Sequence, residues 1–181
     1  MVSLRGSLLI AAPTLTDANF LRTVVLITEH TDEGAMGLVL NRPSETLVDE
    51  AVPELAEPAG EEAVIYTGGP VQPEALLVLA EFRDREAAAA IVIADVGLVA
   101  ADAETGDLAE TTRRARVFAG YAGWGPGQLE GEVEEDAWIV EPPTPAELFA
   151  ADPDALWSDV LSRKGGRFAL LARMPLDPSL N

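Results

Sequence analysis

The sequence has no cysteine, one histidine (His30) and one lysine (Lys164) among its 181 residues. Without cysteine, the chain has no disulfide, no thiolate nucleophile and no zinc–thiolate site. With one histidine, any site that needs two imidazoles is excluded as well. Chemistry is left to carboxylates, arginines and a single imidazole, so no catalytic residue, metal or cofactor is predicted.

Basic charge is also scarce. The 31 acidic residues exceed the 12 basic ones and give a formal net charge of −19. Proteins that bind nucleic acid without sequence preference need a basic face to neutralise phosphates, and binding to anionic lipid needs basic residues too. Direct nucleic-acid binding and membrane association are therefore not expected, and the acid excess favours solubility.

Long hydrophobic runs are missing. No segment approaches the roughly 20 apolar residues that span a bilayer. The apolar run at 7–12 is shorter than a secretory signal requires and is ended by Pro13, so it predicts a buried strand. We expect a cytoplasmic protein with one domain over residues 1–181, since the length and the 48% of hydrophobic residues suit one ordinary core.

Short apolar, β-branched segments between glycines and prolines predict a strand-rich fold. The clearest are 23–28 and 35–40, whose connection through Asp32-Glu33-Gly34 predicts a hairpin. Consecutive strands that outnumber helices indicate an α+β protein with a mixed or mainly antiparallel sheet. Further strands are predicted at 8–11, 63–66, 76–79, 91–93, 96–99, 116–121 and 137–140, a surface loop at 53–62, and helices at 47–51 (capped by Thr46), 106–114, 128–135, 145–150 and 154–163 (capped by Asp152).

A glycine-rich segment at 120–128 precedes a predicted helix, so a phosphate-binding loop must be considered. Its spacing matches neither G-x-G-x-x-G nor a P-loop. The helix that follows carries four glutamates, which oppose an anion at its N-terminus. We interpret the segment as a structural loop that packs Trp124 into the core and can also line a pocket.

Two other motifs each allow two interpretations. Glu29-His30 ends a strand and suggests acid–base chemistry, but strand neighbours point to opposite faces, and the alternative is a hydrogen-bonding anchor. Gly68-Gly69-Pro70 could form a small anion-binding nest of main-chain N–H groups, or it could simply turn the chain between two strands.

Arginine is scarce on this acidic chain, which draws attention to Asn41-Arg42-Pro43. A guanidinium beside an amide can grip a carboxylate or a phosphate. Alternatively, Arg42 pairs with a nearby acid and Asn41 closes the turn. The remaining cationic cluster, at 113–116, is predicted to lie late in a helix and is too small for a nucleic-acid footprint.

Several blocks together resemble the YqgE/AlgH family of bacterial proteins. They are the N-terminal segment 6–11, Asn41-Arg42-Pro43, Gly68-Gly69-Pro70 and FAGYAGWGPGQLE at 118–130. The resemblance implies a bifurcated mixed β-sheet, folded into a pseudo-barrel with flanking helices. It also brings a label of transcriptional regulator by association, without catalytic residues to carry over. Where many members have a Leu-His pair, this chain has Leu79-Ala80.

These observations favour a non-enzymatic regulatory module that binds a small molecule or a protein. One alternative is an enzyme for a small anionic substrate, which requires His30, Glu29 and Arg42 to converge in one pocket. Another alternative is a transcriptional regulator, for which an indirect action is favoured over direct binding to DNA. The candidate binding face consists of Asn41, Arg42, Gly68, Gly69, Trp124, Gln128 and His30.

Overall fold

Ten strands form one sheet in the computed structural model, which describes residues 1–100 and 103–176. The strands are β1 (Leu8–Ala11), β2 (Val24–Thr31), β3 (Gly34–Val39), β4 (Pro43–Leu47), β5 (Val64–Thr67), β6 (Val71–Phe82), β7 (Ala90–Ile93), β8 (Val96–Leu98), β9 (Thr112–Trp124) and β10 (Trp138–Glu141). The helices are α1 (Val48–Ala51), α2 (Ala56–Ala59), α3 (Thr105–Thr111), α4 (Gln128–Glu134), α5 (Pro145–Leu148), α6 (Leu156–Lys164) and α7 (Arg167–Leu171). Short 3₁₀ turns lie at Pro53–Leu55 and Arg85–Ala87.

The sheet divides at β9. This strand pairs antiparallel with β3 near its C-terminal end, antiparallel with β6 over most of its length, and parallel with β5. The main path runs β10-β1-β2-β3-β9-β6-β8-β7, and β4 extends the branch through β5. The chain is thus α+β with a large, mostly antiparallel sheet. In the described residues the sheet is open, ending at β10 and β7, so the closed pseudo-barrel stays a prediction.

The predicted hairpin is confirmed as β2 and β3, whose register runs from Val25 opposite Val39 to Thr31 opposite Gly34. A register shift lies between Ile27 and Glu29. Beyond this shift the side chains alternate, so that Glu29 is exposed and His30 is buried.

Apolar layers cover both faces of the sheet. Alternate residues of β1 and β2 enter two different core clusters, which is why all four residues of β1 are buried. On one face, α6 contributes its buried side, including Trp157 and Val160. On the other face, Leu129 of α4 packs with Trp124 and Trp138.

Strands β6 and β9 are much longer than predicted. Polar residues within β6, such as Gln72 and Glu74, hide it from a hydrophobicity pattern, but its ladder with β9 runs from Val71 to Phe82. Much of the predicted glycine loop is consequently part of β9. Only the residues between Trp124 and Gln128 form a loop, because the strand ends at Trp124 and α4 begins at Gln128.

Four local predictions were wrong. Thr46 lies in β4 and does not cap a helix, because α1 begins only at Val48. The predicted loop at 53–62 contains a 3₁₀ turn and α2, held by buried Leu55 against Leu108. Helix α6 begins only at Leu156, although Asp152 accepts a hydrogen bond from the amide of Ala155 in the turn before it. In addition, helix α7 was not predicted at all. Helix α3 ends at Thr111, so the cationic cluster at 113–116 lies on β9 and not at a helix end.

Candidate functional site

His30 is a buried anchor in this structure. Its side chain is 1% exposed, its Nδ1 accepts a hydrogen bond from the amide of Leu4 at 2.9 Å, and its Nε2 lies 2.8 Å from Oε1 of Glu130. Because Nδ1 is the acceptor, the ring hydrogen belongs on Nε2, which donates to Glu130. The imidazole thereby ties the N-terminal segment and α4 to the hairpin. Both ring nitrogens are engaged.

Glu130 is the first-turn carboxylate of α4. Hydrogen bonding to its own main-chain N–H, and then the contact with His30, hold the pKa of this exposed carboxyl below its usual value. The arrangement favours the ionised form. The bond to His30 is therefore that of a carboxylate accepting an imidazole N–H, as in a structural anchor.

Asn41 joins two parts of the main chain. Its Oδ1 accepts from the amide of Val24 at 3.0 Å, and its Nδ2 donates to the carbonyl of Arg22 at 2.9 Å. The Asn41 side chain thus makes, at the start of β2, the two hydrogen bonds that the main chain of a paired strand would otherwise make. Arg22, one of these partners, has a positive φ of 52°, a conformation that such a side-chain clasp helps to hold.

Gly68 and Gly69 lie where the chain crosses close to β9. Gly68 donates to Ala119 and accepts from Val39 through its main chain, at 2.9 and 2.8 Å. A Cβ on Gly69 would overlap the carbonyl of Tyr121. Any larger residue would force β9 away, so the pair is required for the close approach of two backbones.

Arg42 lines a small pocket with Gly69. The pocket has a volume of about 230 Å³ and opens between three loops. The guanidinium donates to the carbonyl of Leu21 at 2.6 Å, and the main-chain carbonyl of Arg42 accepts from Thr67 at 2.8 Å, so the walls are tied together. Arg42 is the only charged residue among those that line it, which are Ala18, Asn19, Val39, Arg42, Pro43, Thr67, Gly69 and Pro70.

Trp124 is buried as predicted, at 6% exposure. Its ring lies 6.1 Å from that of Trp138 and 6.3 Å from that of Phe20, so it belongs to an aromatic cluster. Gln128 is exposed, and its Oε1 accepts from the amide of Gly125 at 3.0 Å, which closes the loop before α4. Both residues therefore shape the end of β9.

A half-buried carboxylate, Glu132, lies beside this aromatic cluster. Burial is the main cause that raises the pKa of this carboxyl. No hydrogen bond of good geometry reaches Oε2 of Glu132 or Nε1 of Trp138 among the described residues. The sequence showed Glu132 only as one of four helix acids, and its burial depends on how α4 packs.

The seven predicted residues fall into two groups. Arg42 and Gly69 line the Arg42 pocket, and Asn41 and Gly68 are their neighbours in the chain. His30 pairs with Ala35, which lies four residues along β3 from the pocket residue Val39, or roughly 13 Å at the usual strand rise. Trp124 also pairs with Ala35, and Gln128 follows it closely, so these residues lie towards that end too. The pocket residues Asn19 and Thr67 were not predicted, since nothing local marks them.

The cationic cluster on β9 is engaged within the fold. Arg114 binds Glu81 at 2.7 Å and lies over the Phe149 ring, whereas Arg116 lies over the Tyr66 ring. Burial lowers the pKa of the Arg116 guanidinium. Within residues 1–100 and 103–176, no group of three His, Asp or Glu could hold a metal ion, and no helix has the length and apolar character needed to cross a bilayer.

The sequence as a whole matches a known family. The family model described as AlgH-like covers residues 8–169. This chain belongs to the AlgH-like family. It is 44% identical to a UPF0301 protein of Thermobifida fusca, covering 99% of this chain and 96% of that protein, and 42% identical to one of Streptomyces coelicolor with the same coverage.

Two solved structures share the AlgH-like fold. A protein of Corynebacterium diphtheriae superposes with a TM-score of 0.87 at 26% identity, over 96% of this chain and 94% of that one. The AlgH protein of Pseudomonas aeruginosa superposes with a TM-score of 0.72 at 32% identity, over 97% of each chain. The resemblance found from the sequence motifs is therefore confirmed at the level of the family.

Proposed function

We propose that this AlgH-like protein is a non-enzymatic binding module, which recognises an anionic group of a small molecule or a protein partner at the Arg42 pocket. The supporting observation is the pocket lining. In a chain of net charge −19, its one charged residue is an arginine, and the other polar side chains, Asn19 and Thr67, are neutral. One guanidinium nitrogen donates to Leu21, but the group has five N–H donors, and those that remain, beside neutral polar side chains, suit a carboxylate or phosphate.

The small volume limits the ligand. Drug-sized ligands occupy pockets of about 300–1,000 Å³, and this one has about 230 Å³. The pocket therefore suits a single carboxylate or phosphate group, presented by a metabolite or by the end or side chain of a partner. Long-range repulsion from the acidic surface is screened over about 8 Å at physiological salt, so recognition depends on contacts inside the pocket.

The enzymatic alternative has less support. It requires His30 and Arg42 to converge, but His30 is buried, engaged at both nitrogens and distant from the Arg42 pocket. Direct DNA contact is disfavoured by the net charge and by the engagement of Arg114 and Arg116 within the fold. A regulatory role, as the family label suggests, would act through the bound partner.

Calorimetric titration with sodium acetate, inorganic phosphate and a short peptide with a free carboxyl terminus tests the proposal. We expect dissociation constants near the millimolar range for the free ions, equivalent to about −4 kcal/mol. The peptide should bind more tightly if a partner chain is the ligand. Arg42→Gln should weaken binding at least about tenfold, because it removes a charge-assisted hydrogen bond.

The matched control is Arg173→Gln, which removes one positive charge from another exposed position. It should leave the affinity unchanged. Equal losses in the two variants would mean that only the overall charge matters. Failure of all three probes to bind the wild-type protein would contradict the proposal.

A further inference from the structure

The outer side of β10 is a sheet edge that no described segment covers. At β7, the guanidinium of Arg5 bonds the carbonyl of Ile91, and Gly6 lies against Val92, so the N-terminal segment covers that end. At β4, the strand begins with proline and is largely polar, which protects a short edge. No strand of the described residues pairs with the outer side of β10.

The outer side of β10 presents free main-chain groups. Ile10 of β1 pairs with Ile139, and the amide of Ala12 donates to the carbonyl of Ala137. Since main-chain groups alternate along an antiparallel strand, Ala137 and Ile139 direct theirs towards β1. Trp138 and Val140 therefore direct their N–H and C=O groups towards the open edge.

An apolar groove follows this edge. It has a volume of about 690 Å³, with Val133 of α4 on one side and Phe168 and Leu171 of α7 on the other. Exposed apolar side chains continue from it. Met174, which is 43% exposed, lines the groove, and the same C-terminal segment carries the exposed residues Leu170 and Leu176, at 70% and 72%. An apolar patch along a free strand edge is typical of an interface.

The two ends of β10 carry opposite charge. Asp136 is exposed and lies two residues before the start of the strand. At the other end, Lys164 binds Glu141 at 2.6 Å, and Arg167 is exposed, with no ion pair among the described residues. Lys164, Arg167 and Asp136 all line the groove. An antiparallel partner strand with an acidic residue at its start and basic residues at its end would place unlike charges opposite each other at both ends of β10.

A second copy of this chain has such a strand. We infer that β10 pairs antiparallel with β10 of a second copy about a two-fold axis, which makes one continuous sheet across a dimer. Pairing centred on Ile139 sets Trp138 opposite Val140 of the second copy, so that the free main-chain groups of both strands bond each other. It also sets Asp136 beside Arg167 of the second copy, twice. This interface lies on a different surface from the Arg42 pocket and does not depend on the proposed function.

Sedimentation equilibrium of the wild-type protein and two charge-reversed variants tests the inference. At about 0.15 M salt, where long-range repulsion is screened, the wild-type protein should dimerise between about 1 and about 500 µM. Arg167→Asp and Asp136→Lys should each weaken self-association about tenfold or more, because each variant sets like charges opposite twice. A mixture of the two variants should dimerise again, since every contact then joins unlike charges.

Three results would overturn the inference: a wild-type protein that stays monomeric over that range, variants that dimerise as strongly as the wild type, or a mixture no more associated than its components. Asp136 has a positive φ of 58°, which aspartate and asparagine tolerate better than lysine. Asp136→Asn therefore serves as the second variant; it should weaken self-association less than the reversal does, and unchanged association would count against the contact. Thermal melting of each variant shows that it is folded.

Discussion

Replacing His30 by leucine tests whether this residue is a structural anchor. The substitution removes the acceptor for the amide of Leu4 and the donor to Glu130, but it retains much of the apolar bulk of the ring. If His30 anchors the N-terminal segment and α4, the variant should fold and bind ligands normally but be less stable. If His30 acts on a ligand, its loss should affect binding or turnover without a comparable loss of stability.

The expected loss follows from the bond to Leu4. A partly buried amide left without an acceptor costs about 1–3 kcal/mol. We add nothing for the bond to Glu130, because that carboxylate is solvent-exposed. For a chain of this size, each kcal/mol of lost stability lowers Tm by about 2–4 °C.

Urea unfolding followed by tryptophan fluorescence measures this loss, since Trp124, Trp138 and Trp157 are all buried. His30→Asn is the informative control, because its Oδ1 can replace Nδ1 as the acceptor for Leu4. It should recover part of the lost stability. A leucine variant within about 0.5 kcal/mol of the wild type, the range of ordinary surface substitutions, would refute the anchor role.

Three further predictions concern the core and α4. Gly69→Ala should cost more than about 2 kcal/mol of stability or prevent folding, because the new Cβ meets the Tyr121 carbonyl. Gly60→Ala is the control: its Cβ meets nothing, so it should cost only about 1–2 kcal/mol for the positive φ. Similar losses for the two variants in urea unfolding would contradict the close approach at Gly69. Gly131→Ala should raise the unfolding free energy by about 0.5–1 kcal/mol, since it lies within α4 with open space around it, and a loss of stability would reveal an unseen contact. Burial raises the pKa of Glu132 above its usual 4.5, so its contribution to stability is complete below that pH and declines as pH rises through the higher native pKa. Glu132→Gln should remove this decline and be more stable than the wild type near pH 7; a less stable variant at that pH would show that the ionised carboxylate is needed.

The sequence predicted the parts of the fold that depend on local patterns. The β2–β3 hairpin has β-branched strands and a glycine-containing turn, and both signals are local. Strand β9 was predicted only in part, because its thirteen residues include arginines and glycines that a hydrophobicity pattern assigns to a helix end and a loop. Its length comes from pairing with β6, β5 and β3, which is a tertiary effect.

The candidate site shows the same division. The motifs marked Asn41, Arg42 and the glycine pair as residues to consider, and of these Arg42 and Gly69 line one pocket. What each side chain does there depends on partners distant in sequence: Asn41 holds Val24, and His30 holds Leu4 and Glu130. A residue type and a spacing can suggest chemistry, but they do not reveal whether the atoms that would perform it are already occupied.

The most direct test of anion recognition at the Arg42 pocket is an NMR titration of the arginine Nε–Hε resonances with sodium acetate. The chain has few basic residues, and Arg42→Lys assigns the signal by its disappearance. We predict a saturable shift of the Arg42 resonance, larger than that of any other arginine and absent with sodium chloride at equal ionic strength. A resonance that does not move, or that moves no more than those of Arg167 and Arg173, would contradict the account.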